Sequence, residues 1–247
     1  MKSLTKKTYS ARKAGFDGSA LKWIAIVTMV IDHIGASVLL NVLGQLGSDR
    51  LFWGLDRQKL YIVYELLRYI GRVSFPIFCF LLVEGFFHTR DRRKYAVRLL
   101  IFAFVSEIPF DLAFELKWWD PSHQNVMFTL FIGLVTIALM DRFRGNFPRQ
   151  ALIAAAGAFL AWFLKTDYDW LGVVTITVLY LFHDNPSGRC IAGALSVAWE
   201  LPAPLAFIPV YFYNGERGRG LKYFFYVFYP AHLLVFYFIT KSALARL

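Results

Sequence analysis

Charge is scarce in this chain. Only 18% of its 247 residues are charged, while 57% are hydrophobic and 25 are Phe. A soluble domain of this size could not cover its surface with so few polar groups, so composition excludes an ordinary soluble protein and indicates an integral membrane protein. Cysteine is nearly missing. Cys79 and Cys190 fall within or beside apolar stretches, and no disulfide is expected. A Gly-rich phosphate loop and a Gly-x-Ser-x-Gly nucleophile turn are both lacking. The five histidines lie far apart without ligand spacing, so no metal site is expected. There is no internal repeat, no low-complexity linker, and no pair of broken helices in two similar halves such as many transporters carry.

Acidic residues are also in the minority, and the formal net charge is +10. The cations sit in short loops between apolar spans. That is the positive-inside pattern of a membrane protein in contact with lipid rather than a nucleic-acid stripe, and no nucleic-acid partner is expected. Residues 1–20 read as a basic cytoplasmic tail, and residues 21–247 as a single transmembrane domain. The first apolar run, about 18 residues, is too long for a signal-peptide core, and no small-residue cleavage site follows it. The expected spans run about 22–40, 66–88, 95–116, 125–140, 150–164, 170–183 and 223–240, with one or two crossings in 188–213. Residues 41–65 read as an outer loop, and Pro76 as the cause of a kink in the second span. The fold class is therefore all-α: a polytopic helix bundle of eight to nine transmembrane helices, the N-terminus cytoplasmic.

The stretch from Lys22 to Leu40 carries Asp32 and His33 inside an apolar run. An Asp at such depth costs roughly 2.5–3.5 kcal/mol on insertion scales, so an apolar residue would be the cheaper choice there. Lys22 precedes His33 by eleven positions, just over three turns at about 100° per residue, which sets both on one face about 16 Å apart. The remaining polar groups sort into two layers. Lys22, Glu84, His88, the basic residues from Arg90 to Arg98 (Arg93 among them), Arg217 and Lys222 fall toward the cytoplasm. Asp32, His33, Arg72, Glu107, Asp111, Gln124 and Asn125 fall toward the outside. Arg72 with Glu107 or Asp111 reads either as a structural ion pair or as part of a site. Asp32 and His232 carry the same two readings. An imidazole is a less common helix–helix adhesive than Ser, Thr or Asn, which favours a working role for His33.

A rim of cations suits a phosphate-bearing donor, and an imidazole farther along the same helix suits general-base chemistry. A long, thin donor such as acetyl-CoA would bridge the two. In that scheme Lys22, Arg90, Arg93, Arg98, Arg217 and Lys222, with Glu84 and His88 in the same layer, form the donor site. Glu107 or Asp111 orients His33, and Asp32, about 100° around the helix, is a poorer partner. Arg72, Gln124 or Asn125 polarises the carbonyl or binds the acceptor, with His232 beside them. The rival readings are a non-enzymatic membrane assembly factor for a pilus or conjugation apparatus, and a proton-coupled transporter.

Several motifs together resemble the TraX family of bacterial membrane proteins. They are Leu21-Lys-Trp-Ile-Ala-Ile26, Ile31-Asp-His-Ile-Gly35, Ile70-Gly-Arg-Val-Ser-Phe-Pro-Ile-Phe78, Glu84-Gly-Phe-Phe-His88, Arg98-Leu-Leu-Ile101, Ser106-Glu-Ile-Pro-Phe-Asp111, Gln124-Asn125, Tyr213-Asn-Gly-Glu-Arg217 and Phe228-Tyr-Pro-Ala-His232. The resemblance covers about 20–240. That family takes its name from a conjugation protein required for N-terminal acetylation of pilin. It is also similar to a wider superfamily of membrane acyltransferases that use acetyl-CoA, many with Arg or Lys, ten residues, then His on the first helix. Lys22 and His33 match that spacing, so the resemblance implies a catalytic His33, acetyl-CoA as acyl donor, and a protein or glycan acceptor at a bacterial inner membrane. The chain is shorter than the polysaccharide acetylases, and no appended extracytoplasmic domain is expected.

Overall fold

A computed structural model describes residues 14–47, 50–218 and 224–247. Helix starts follow local side-chain chemistry. Asp17, Asp56, Asp91, Asn125, Asn146 and Asn185 each accept a backbone N–H from the first turn of the helix they precede. Each satisfies a donor that the helix itself leaves unpaired, an effect of about 1 kcal/mol per cap.

The first helical stretch is longer than the apolar run alone implies. Helix α1 (Gly18–His33) continues through a π-helical turn (Ile34–Leu39) into α2 (Leu40–Gln45). In that turn the Leu40 N–H reaches back five residues to the Gly35 carbonyl. The return path is α3 (Arg57–Gly71) and α4 (Ser74–His88), packed against α1 and the π-turn. Pro76 cannot donate to the carbonyl four residues earlier, at Arg72, and its ring crowds that carbonyl. The break accordingly falls at 72–73, ahead of the proline itself. Residues 57–65, expected in an outer loop, are helical. Leu60, Val63, Tyr64 and Leu67 gather on one face of α3 and pack with Leu39, Val42 and Leu43. Mixed charges on its other face had disguised that amphipathic pattern.

The remaining helices are α5 (Arg92–Phe114), α6 (Val126–Arg142), α7 (Phe147–Phe163), α8 (Asp169–Leu181), α9 (Pro186–Ser196), α10 (Phe207–Tyr211) and α11 (Phe224–Leu244). The ambiguous 188–213 segment resolves into α9, a turn, a short 3-10 stretch at Ala203–Ala206, and α10 packed back on α9. Among the described residues, three stretches are long and apolar enough to cross a membrane: Gly18–Gln45, Arg57–His88 and Phe224–Leu244. Helix α8, with 13 residues, covers about 20 Å, less than the ~30 Å hydrocarbon core of a typical bilayer. The chain is a helical membrane protein.

The main core joins α1, α4, α5, α6, α8 and α11 through residues such as Leu21, Phe80, Leu134, Ile137, Ile176 and Leu233. Polar stitches reinforce it. Ser74 donates to the Ala25 carbonyl at 2.8 Å, and Ser37 donates to the Ala113 carbonyl at 2.7 Å. These tie α1 to α4 and the π-turn to α5. Val27, Ile101, Phe104 and Leu152 are exposed, as side chains facing lipid are.

Candidate active site

His33 ends α1 where the π-turn begins, and it faces α11. Its Nδ1 lies 2.8 Å from Nε2 of His232. The His232 Nδ1 in turn lies 2.8 Å from the Phe228 carbonyl oxygen. Phe114 meets the His33 ring edge-on, and Phe228 lies parallel to the His232 ring. Lys22, three turns earlier on α1, holds its Nζ 5.2 Å from the ring centre of Phe225, also on α11. Lys22 and His33 therefore do share a face.

Around His33 the charges are paired across helices. Asp32 accepts from Arg68 at 2.5 Å, and Arg72 pairs with Glu200 at 2.6 Å. Arg72 also reaches Tyr168. The Asp32–Arg68 approach depends on a missing side chain, because a methyl at Gly71 would overlap Asp32. Glu107 and Asp111 do not take Arg72. Its acid is Glu200, in the turn between α9 and the 3-10 stretch, which the helix break at 72–73 brings within reach.

Asp32, His33, Arg68, Arg72 and Tyr168, though not Glu200, line a cavity of about 270 Å³. His33, Asp32, Arg68 and Arg72 share it with Met29 and Tyr229 deeper in the bundle, and with Glu115 and His123 nearer the loops. His123 also stands 3.6 Å from Asp167, across two loops. The Asp167 carboxylate beside it raises the His123 imidazole above its ordinary pKa. Tyr168 adopts a left-handed backbone (φ 62°) and stacks on Phe75 with ring centres 3.6 Å apart. A bulky residue there is costly and persists only where its surroundings enforce it.

The polar residues expected beside His33 do other work. Glu107 accepts from the backbone N–H of Asn125 at 3.2 Å and from its side-chain amide. Asn125 also donates to the Ala103 carbonyl and caps α6. Asp111 accepts the Asp120 N–H at 2.9 Å. Gln124 joins the 164–169 loop through its backbone, and its side chain bonds Pro121. These four brace the loop between α5 and α6. His33 is oriented by another imidazole rather than by Glu107 or Asp111.

The end where α1 begins holds most of the residues expected to bind a donor. Glu84 is buried and shared. Arg189 lies 3.1 Å from Oε1 and His183 3.2 Å from the same oxygen, while His88 is 3.7 Å from Oε2. Glu84 holds the His183 imidazole above its ordinary pKa. Arg98 reaches the Tyr226 hydroxyl, yet its Nε is buried without a hydrogen-bond partner. Arg217 is near enough to Lys22 for the two like charges to repel. The 213–217 segment folds over the start of α1, with the Gly18 N–H donating to the Glu216 carbonyl at 2.7 Å. Arg90 lines a shallow surface hollow at 89–94, and Arg93 is exposed beside it. Lys222 lies outside the described residues.

Sequence reasoning missed Arg189, His183, Glu200, His123 and Tyr168. Glu200 carried a usable signal: it is an acid embedded in apolar sequence, the criterion that singled out Asp32. Arg189 carried none, since Pro186-Ser-Gly-Arg189 reads as an ordinary basic loop. Among the described residues no group of three or more His, Cys, Asp or Glu is positioned to hold a metal ion.

A family model described as TraX protein matches residues 17–240. The chain is 31% identical to the probable fimbrial assembly protein FimC, serogroup H1, of Dichelobacter nodosus, over 90% of this chain and 95% of that one. It is 22% identical to the uncharacterized protein RP591 of Rickettsia prowazekii (strain Madrid E), over 65% of this chain and 52% of that one. No solved structure matches the chain.

Proposed function

The chain belongs to the TraX family, and from that premise we propose that it is a membrane acetyltransferase, acting on an amine or hydroxyl acceptor such as a pilin N-terminus or a cell-envelope glycan. It works in a bacterial inner membrane with its N-terminus cytoplasmic. The observation that carries this reading is His33: an imidazole deep in a bundle, lining a cavity, on the same helix face as a cation three turns away.

Acetyl-CoA supplies an activated acyl carbon and a thiolate leaving group. Its phosphates would meet cations at the donor end, where Lys22 and Arg217 stand near each other and Arg98 keeps a buried N–H unspent. His33 takes the proton from the acceptor N–H or O–H as that atom forms its bond to the acyl carbon. As the carbon–sulfur bond breaks, His33 returns the same proton to the sulfur. Arg68 and Arg72 line the reacting space but already hold Asp32 and Glu200, so they shape the cavity more than they neutralise a charged acceptor.

A second reading has its own support. The FimC relative is named for fimbrial assembly, and a pilus-assembly factor could use the same paired charges purely to pack helices. Turnover separates the two. Purified protein with radiolabelled acetyl-CoA should release or transfer label. His33→Ala should lose about 10²–10⁴-fold of that turnover, the usual weight of a general base, while unfolding unchanged. Equal turnover in the two proteins would reject the role of His33, and no binding of acetyl-CoA would leave the assembly reading.

A further inference from the structure

The geometry points to His232 as a positioning residue: it fixes which nitrogen of His33 holds the proton, an inference that rests on the acyl-transfer reading above. A carbonyl oxygen only accepts, so the His232 nitrogen 2.8 Å from the Phe228 carbonyl, Nδ1, carries the hydrogen. Two ring nitrogens 2.8 Å apart need one hydrogen and one lone pair between them. The ring planes differ by 8° with centres 5.0 Å apart, so the imidazoles lie edge to edge in nearly one plane. Lone pairs and N–H bonds lie in that plane, and the contact is well aligned.

Charge decides the remaining ambiguity. A cationic His232 would need an anion, and among the described residues no carboxylate bonds to either ring; the charge felt at His33 from Arg68 is positive. With both rings neutral, His232 Nε2 is the acceptor and His33 Nδ1 the donor. The lone pair of His33 then resides on Nε2, the atom free to take a proton from an acceptor. When it does, the new imidazolium keeps its Nδ1–H on His232 Nε2. His232 thus plays the orienting part that a carboxylate plays in a catalytic triad, without a charge. Phe114 and Phe228 hold the two rings at this angle.

The test uses the full chain in lipid nanodiscs, 15N-labelled at histidine, with His33 signals identified by their loss in His33→Gln. The expected spectrum gives His33 a pyrrole-like Nδ1 and a pyridine-like Nε2. His232→Gln keeps an acceptor oxygen within reach and should preserve both that signature and kcat to within about tenfold. His232→Leu should mix or reverse the tautomer and cost about 100-fold in kcat, at unchanged KM for acetyl-CoA, a smaller loss than the ~10⁴-fold of a triad with its carboxylate neutralised. A pyridine-like Nδ1 in the parent overturns the inference, and so does a Leu variant unchanged in tautomer and kcat. The spectrum needs no turnover. The expected tautomer in a protein indifferent to His33→Ala would refute acyl transfer alone; His33-dependent turnover with the opposite tautomer would refute this inference alone. Should the Leu variant fail to fold, the parent and Gln spectra still decide.

Discussion

The two ends of the bundle handle buried charge in opposite ways. Around His33, cations and acids come in matched pairs drawn from distant segments: Arg68 with Asp32, Arg72 with Glu200 and, at the half-exposed rim, His123 with Asp167. Set among them is the pair of imidazoles, His33 and His232. At the end where α1 begins, a single buried acid, Glu84, is divided among Arg189, His183 and His88, while Lys22 and Arg98 have no ion pair among the described residues. A region that cancels its own charge is built to hold reacting groups still. On the acyl-transfer reading proposed above, a region with cations to spare meets an anion from outside. The chain separates those tasks along one helix, α1, whose two ends carry Lys22 and His33.

The comparison breaks most visibly if one matched pair is opened. Arg68→Ala leaves the partly buried Asp32 beside His33 without its partner, and stability should fall by about 2–3 kcal/mol, less than the full cost of half a buried ion pair. Replacing both partners, Arg68→Met with Asp32→Leu, should recover most of it, read by thermal unfolding in detergent. A single variant as stable as the parent would mean that the pair is not desolvated. The opposite end should respond in binding rather than stability. Arg98→Gln removes a cation that no acid among the described residues holds and should raise KM for acetyl-CoA about tenfold, or about 1.4 kcal/mol, with kcat little changed. A loss confined to kcat would assign Arg98 to the reacting centre instead.

The smallest effect concerns the loops over the cavity. Asp167 raises the pKa of His123, so their clamp is complete below the ordinary imidazole pKa and is lost as pH climbs through the raised value. Backbone exchange in 115–125, corrected for intrinsic rates, should be faster at about pH 9 than at about pH 6. His123→Gln should abolish the difference. The clamp is half exposed, so its contribution stays below about 1 kcal/mol.

Much of the architecture was legible because its causes are local. Pro76 marks a kink in the second span, and an eleven-residue spacing on an unbroken helix sets Lys22 and His33 on one face; the Asp and Asn caps were equally local, yet went unread. The site was legible where a residue violated its surroundings, as Asp32 and His33 do in an apolar run. What stayed hidden depends on contacts between distant segments. No spacing links residue 33 to 232, or 72 to 200. Glu107 and Asp111, four apart on one face, looked like partners for His33 or Arg72, yet the loop that follows them claims both. The π-turn after His33 also left no mark, since Ile34–Leu39 contains no proline to force it.

The most direct test of the whole account is a structure of the protein with acetyl-CoA bound. The account expects the phosphates against Lys22, Arg98 and Arg217 and the thioester carbon within about 3.5 Å of the atom that His33 Nε2 would deprotonate, the usual spacing of groups about to react. A nucleotide seated over the 115–125 loop, or a thioester that stops short of the His33 cavity, would contradict it.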